Sequence, residues 1–256
     1  MPHPAPHHHR NWFDQGGAAY ARFRPEYPPE LARWLAAQAP HHGHALAVDV
    51  GCGNGQLTAQ LAEHFQRVLG LDPSREQLAH AAAHPRVAYA CAPAEALPVP
   101  TGSASLIAAA QAAHWFDLPR FYAEARRIGQ SGAVLALIGY GVLRLDDDAL
   151  HARFQHFYTQ EIGPYWPAER KLVDSGYADL PFPFAEQAAP ALDIRKQWDL
   201  PALLGYIATW SAVRQAREAG REDLLQNFAT DLAELWGAPA CRRAIVWPIH
   251  LRWSIL

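Results

Sequence analysis

Two carboxylates and three glycines stand close together in the first third of the chain, at Asp49, Gly51, Gly53, Gly55 and Asp72. Glycine has no Cβ and tolerates positive φ, so a glycine-rich turn lets the backbone approach a ligand closely. Here the turn links an apolar run to a helix-like stretch, which puts the ligand at a helix N-terminus. Turns that cradle a pyrophosphate usually read G-x-G-x-x-G. In this chain the third glycine arrives one residue early, and Asp49 stands two residues before the first. Asp72 closes the next apolar run, about 20 residues after Gly51, where an acid can hydrogen-bond both ribose hydroxyls of a nucleoside. The same residue opens Asp72-Pro73-Ser74, a good helix start, so helix capping is the competing role.

The D-x-G-x-G-x-G arrangement of Asp49 to Gly55 resembles motif I of the class I S-adenosylmethionine-dependent methyltransferases. The resemblance implies that S-adenosyl-L-methionine is the cofactor and that this loop packs against its methionine portion. Ala92-Pro93-Ala94-Glu95-Ala96-Leu97-Pro98 is similar to the superfamily loop that flanks the adenine ring, which implies contacts from Ala94 and Glu95. Three further segments, Ala108 to Asp117, Tyr20 to Pro28 and Gly205 to Ser211, resemble the trans-aconitate methyltransferase-like group of small-molecule methyltransferases. That likeness covers roughly residues 12 to 253. It departs at Ser103-Ala104-Ser105-Leu106, where relatives commonly carry Ser-x-Asp-Leu, so no carboxylate is expected to support the site from there.

Methyl transfer from a sulfonium is an in-line displacement with a good leaving group, so proximity and orientation are the enzyme's main contribution. A carboxylate acceptor needs no general base, whereas a phenol, amine or carbon acid often does. His114 is the candidate base, just past the fourth apolar run, at the sheet edge where open α/β folds bind ligands. A cofactor- or substrate-lining role, and a purely structural role for a histidine in an apolar run, compete with that reading. Gln111, on the same strand end, is a cofactor hydrogen-bonding candidate. The resemblance implies a flap over the cofactor from Tyr20, Arg24 and Tyr27, with Arg24 able to pair with an anionic substrate or the methionine carboxylate. Trp115, Tyr140, Tyr206 and Trp210 are candidate walls of an aromatic acceptor pocket that excludes water; core packing explains each of them individually as well. Carboxylate O-methylation is the family-level leaning, with N-, C- and other O-acceptors open. A nicotinamide-dependent oxidoreductase and a non-catalytic methyltransferase-like binding protein are the rival readings.

The elements that must hold these residues alternate short apolar runs with helix-like segments, the pattern of a parallel sheet covered by helices. Strands are expected at about 45–50, 67–71, 86–91, 104–110 and 132–140, with helices near 29–39, 55–65, 74–83 and 118–128. Gly129 and Gly132 bracket the end of the last helix, where a left-handed capping residue is expected. After Tyr140 the rhythm changes to an aromatic helical stretch and a Pro-rich segment, an inserted helical cap at about 143–185. Helices at about 200–219 and 221–236 and a final strand from Arg243 follow, and the fold class expected is α/β, a Rossmann-like, seven-stranded, mostly parallel sheet with helices on both faces. One methyltransferase domain at 11–256 is expected, after a disordered Pro- and His-rich tail at 1–10.

Bulk properties narrow the partners. Asp plus Glu (25) outnumber Lys plus Arg (22), which argues against a nucleic-acid partner and leaves a small molecule as the methyl acceptor. Three cysteines without C-x-x-C spacing suggest neither a disulfide framework nor a zinc site, and the loop histidines, His41, His42 and His44 included, read as solvated rather than metal-binding. No apolar run approaches the ~20 residues that span a bilayer, and no signal-peptide core is visible, so a cytoplasmic, unanchored protein is expected. Oligomeric state is left open.

Overall fold

A computed structural model describes residues 25–40 and 46–256. The expected tail at 1–10, the flap residues Tyr20 and Arg24, and the histidines at 41–44 lie outside the described residues.

Alternate side chains of the central strands enter two different cores, one on each face of the sheet. In β5 (Gly129–Tyr140), Val134, Ala136 and Ile138 pack on one face with Leu31 and Leu35 of α1 (Pro29–Gln38), while Leu135 and Leu137 pack on the other. Strands buried on both faces read as continuous apolar runs, and β1 (Leu46–Val50) and β4 (Ala104–Ala110) do so. The second face is covered by α4 (Leu118–Ile128), whose Leu118, Phe121, Tyr122, Ala125 and Ile128 form a helical stripe. Its start is set by Asp117, whose carboxylate accepts the Arg120 amide.

With β2 (Arg67–Asp72) and β3 (Val87–Cys91), these strands pair parallel in the order β3-β2-β1-β4-β5. The order reverses between β1 and β4, which opens a crevice at their carboxyl ends. Short helices α2 (Gln56–Leu61) and α3 (Arg75–Ala79) follow β1 and β2. The remaining strands are β6 (Arg144–Leu145), β7 (Leu192–Trp198) and β8 (Arg243–Ile255); β8 pairs antiparallel with β5, β6 and β7. The sheet therefore has eight strands rather than seven, and the addition is at its antiparallel side.

Three expected boundaries move. Gly129 is extended and opens β5, so the left-handed glycine, Gly132, lies inside that strand rather than at the end of α4. The expected helix at 200–219 is two helices, α7 (Leu200–Ala208) and α8 (Ser211–Glu218), because Trp210 is extended between them and buried among aromatic rings. Expected helices near 55–65 and 74–83 shorten to α2 and α3, the remainder being turns.

Helices α5 (Asp148–His156), α6 (Arg170–Asp174) and α9 (Asp223–Trp236) complete the set, with a π-helical turn at Phe157–Glu161. The helices on either side of β7 in the chain pack on one another: α9 rests on α5, and α8 on the Gly163–Tyr165 turn. Phe157 stacks on Phe228 at 4.1 Å across this junction. No helix among the described residues is long and apolar enough to cross a membrane.

Candidate functional site

The crevice at the switch between β1 and β4 holds a cavity floored by the glycine loop. Gly51, Gly53 and Gly55 all have positive φ, +71°, +56° and +80°. The three need glycine for different reasons. A Cβ on Gly51 would lie 2.4 Å from the Ala112 Cβ, where the loop after β1 crosses the one after β4, and a Cβ on Gly55 would lie 2.2 Å from the Tyr89 hydroxyl. Around Gly53 there is room, and the amide is the working group: it donates to Asp72 Oδ2 at 2.8 Å.

Asp72 is therefore engaged through both oxygens, Oδ1 accepting the Ser74 amide at 2.8 Å. The helix cap itself is Ser74, whose hydroxyl accepts the Gln77 amide, so capping does not fall to Asp72. Each carboxylate oxygen keeps a second lone pair, and Asp72 lines the cavity. Burial raises its pKa above the usual carboxylate value, against the two amides that lower it.

Asp49 is 1% exposed at the end of β1. Its Oδ2 accepts the Thr58 hydroxyl at 2.6 Å, while Oδ1 is buried without a hydrogen-bond partner among the described residues. Burial pushes its pKa up to about 7, with the Thr58 hydroxyl opposing and Asp72 adding to the rise. An unpartnered buried acceptor in a cavity wall is costly unless something binds it.

Gln111 lies where β4 ends, in the left-handed region at φ +53°, an uncommon conformation for a side chain other than glycine. Its amide donates to Ile138 O at 2.8 Å and its side-chain nitrogen to Tyr140 O at 3.0 Å. This ties the ends of β4 and β5 together and leaves the residue on the cavity wall.

Of the residues expected from sequence, Asp49, Gly51, Gly53, Asp72, Gln111, Tyr27, Trp115 and Tyr140 line this cavity. Gly55, Ala94, Glu95, His114, Tyr206 and Trp210 do not. Ala94 is buried in the core beneath the sheet, and Glu95 accepts the Asp117 amide at 2.8 Å, holding the start of α4. Asn54, Gln56, Gln77 and Phe116 line the cavity without having been expected; Asn54, Gln56 and Phe116 flank motif residues, which is the one signal that pointed to them, and Gln77 comes from α3.

His114 sits behind Trp115, ring centroids 4.9 Å apart, with Nδ1 2.9 Å from the Tyr177 hydroxyl. Burial, helped by the positive charge of Arg170, lowers its pKa to about 3, so the ring is neutral at ordinary pH. Tyr206 and Trp210 belong to an aromatic cluster in the helical layer, 5.6 Å apart and edge-on; the Tyr206 hydroxyl accepts Trp247 Nε1 at 3.2 Å.

Residues 48–137, which carry all of the glycine loop and the β4 end, match the family described as a methyltransferase domain. A Dictyostelium discoideum protein named as a methyltransferase is 32% identical over 237 residues, 92% of this chain and 90% of its own. The trans-aconitate 2-methyltransferase of Deinococcus radiodurans is 39% identical over 111 residues, 41% of this chain and 42% of that one. Among solved structures, one from Anaeromyxobacter dehalogenans described as a type II methyltransferase superposes with a TM-score of 0.84 at 45% identity, covering 91% of this chain and 98% of the other.

Proposed function

Since the chain belongs to the methyltransferase-domain family of enzymes, we propose that it binds S-adenosylmethionine in the cavity between β1 and β4 and methylates a small-molecule acceptor. The observation that carries this reading is the unpartnered Asp49 Oδ1 in the cavity wall. A buried acceptor of that kind suits a cationic ligand, and S-adenosylmethionine carries an ammonium and a sulfonium on its methionine portion. When bound, it supplies an electrophilic methyl group on sulfur.

The residues divide the remaining work. Asp72 holds the glycine loop through Gly53 and has lone pairs left for ribose hydroxyls. Gln111 fixes the spacing of the β4 and β5 ends, and Trp115, Phe116 and Tyr140 screen the cavity from water, which strengthens the polar contacts inside it. His114 is too weakly basic to take a proton well near neutral pH, so its role here is to position Trp115 and Tyr177. An acceptor that is already anionic, a carboxylate above all, requires no proton removal and fits such a site. The name of the Deinococcus relative points the same way.

The test is a screen of small carboxylates, phenols and amines for S-adenosylhomocysteine release. Turnover with one or more carboxylates supports the reading. Turnover confined to phenols or amines overturns the acceptor class, and no cofactor binding at all overturns the cavity assignment.

A further inference from the structure

A second group of polar atoms without partners lies beyond the cavity wall, around Arg170 at the start of α6. Arg170 Nε donates to the Tyr158 hydroxyl and to Asp174 Oδ1, both at 2.9 Å, and the Tyr158 hydroxyl donates to the same carboxylate oxygen at 2.8 Å. This triangle fixes one edge of the guanidinium. Its two terminal nitrogens make no hydrogen bond among the described residues, although only 19% of the side-chain surface is exposed. Trp166 lies beneath, with the Arg170 guanidinium carbon 4.8 Å from its ring centroid. Trp166 Nε1 is buried and lacks a hydrogen-bond partner among the described residues.

These groups lie one layer behind the proposed reaction site, and neither Arg170 nor Trp166 lines the cavity itself. Helix α6 packs on the 113–115 turn, which carries His114 and the cavity residue Trp115. The Arg170 charge acts on His114 and Tyr177, and the latter is coupled to Tyr140 of the cavity wall. The other surroundings are aromatic: Trp166 faces Trp210 at 5.2 Å, and Trp210 meets Tyr206 at 5.6 Å.

A guanidinium fork held along one edge, seated on the Trp166 ring and lacking an acceptor at its terminal nitrogens, is a donor pair for an oxyanion. Flat aromatic neighbours favour a flat apolar body attached to it. We propose that Arg170, with Trp166, binds a carboxylate or phosphate carried on such a body, as the non-reacting end of the methyl acceptor. This makes Arg170 a specificity-determining residue of the helical layer, and it rests on the reading of the cavity given above. An anion held here keeps its charge on the guanidinium, so the group that receives the methyl is a different one on the same molecule.

The test titrates the S-adenosylhomocysteine-saturated protein with benzoate, phenyl phosphate and benzamide, in wild type and in Arg170→Met. The expected result is binding of benzoate or phenyl phosphate at least about tenfold tighter than benzamide, with that preference lost in Arg170→Met while S-adenosylhomocysteine affinity stays within about twofold. Which anion binds tighter identifies the source of the oxyanion. Wild-type anion affinity in Arg170→Met, equal binding of benzamide, or no binding of either anion overturns the proposal. Failure of S-adenosylhomocysteine to bind wild type overturns the cavity reading instead, and with it the premise. Should Arg170→Met fold poorly, phenylglyoxal modification of wild-type Arg170, read by peptide mass spectrometry, decides. Protection by saturating benzoate or phenyl phosphate supports the anion seat, and equal reaction with and without them contradicts it.

Discussion

The Asp72 carboxylate and the Gly53 amide, 19 residues apart in the chain, meet at 2.8 Å and join the ends of β1 and β2 across the mouth of the cavity. The other oxygen holds the Ser74 amide. Asp72→Ala leaves both amides without a partner, at a cost of about 1–3 kcal/mol. For a chain of this size that is a fall in Tm of roughly 2–4 °C per kcal/mol. S-adenosylhomocysteine affinity should fall by more than about tenfold, since a charged acceptor contributes about 1.5–3 kcal/mol to a hydrogen bond. Calorimetric titration and thermal melting check the two parts separately, and unchanged affinity would remove Asp72 from the cofactor site.

Asp49 makes the site pH-dependent. Its pKa is raised from 3.8 to about 7 in the folded chain, mainly by burial. The folded state thus holds a proton that the unfolded chain has released, so this group's contribution to the ligand-free protein's stability declines as pH rises from 3.8 to about 7 and is level above. A ligand ammonium beside Asp49, which S-adenosylhomocysteine keeps although it lacks the sulfonium, reverses the preference, because it stabilises the ionised form. S-adenosylhomocysteine affinity should therefore climb between pH 5.5 and 7, approaching about tenfold per unit, and level off above. Asp49→Asn should bind more weakly and lose that slope. Titrations across this range check it, and a slope that persists in Asp49→Asn would assign it to another group.

His114 should not impose a titration near its ordinary value on the rate, because its imidazole stays neutral down to about pH 3. His114→Asn, which keeps a polar group near the Tyr177 hydroxyl, should cost less than about tenfold in kcat, against the 10²–10⁴ typical of a lost general base. A pH–rate profile from 5 to 9 for wild type and variant checks this, and a wild-type limb near pH 6.5 that the variant lacks would restore the base role.

Gly55→Ala should destabilise the protein through two separable terms. The new Cβ meets the Tyr89 hydroxyl at 2.2 Å, and φ of +80° is strained for alanine. The φ term alone is of order 1–3 kcal/mol. Pairing it with Tyr89→Ala should recover the steric part and leave the backbone part, which a double-mutant cycle of melting temperatures resolves. Full recovery would mean that positive φ costs nothing here.

Much of the architecture was legible because β1, β4 and the second half of β5 are buried on both faces and are therefore largely apolar. The glycine loop was legible because its backbone conformation admits few other residues. β7 was not: Leu192, Ile194 and Trp198 keep the alternation, but Lys196 breaks it and Asp193 and Arg195 add charge, as an exposed edge tolerates. The break at Trp210 carries no proline or glycine; burial among Tyr158, Trp166 and Tyr206 places it. In the site, residue type identified Asp49 and Asp72, but only geometry separates the unpartnered oxygen of the first from the two amide-bonded oxygens of the second. Arg170 had no spacing to mark it, being one basic residue in a helical stretch, and its meaning comes from Trp166, Tyr158 and Asp174 around it.

The most direct measurement of the central claim is calorimetric titration of the wild-type protein with S-adenosylhomocysteine and, separately, with NADH. Binding of S-adenosylhomocysteine at one site per chain, with a matching rise in Tm and both weakened in Asp72→Ala, is the predicted result. Stabilisation by NADH alone, or no binding of either ligand, would contradict it.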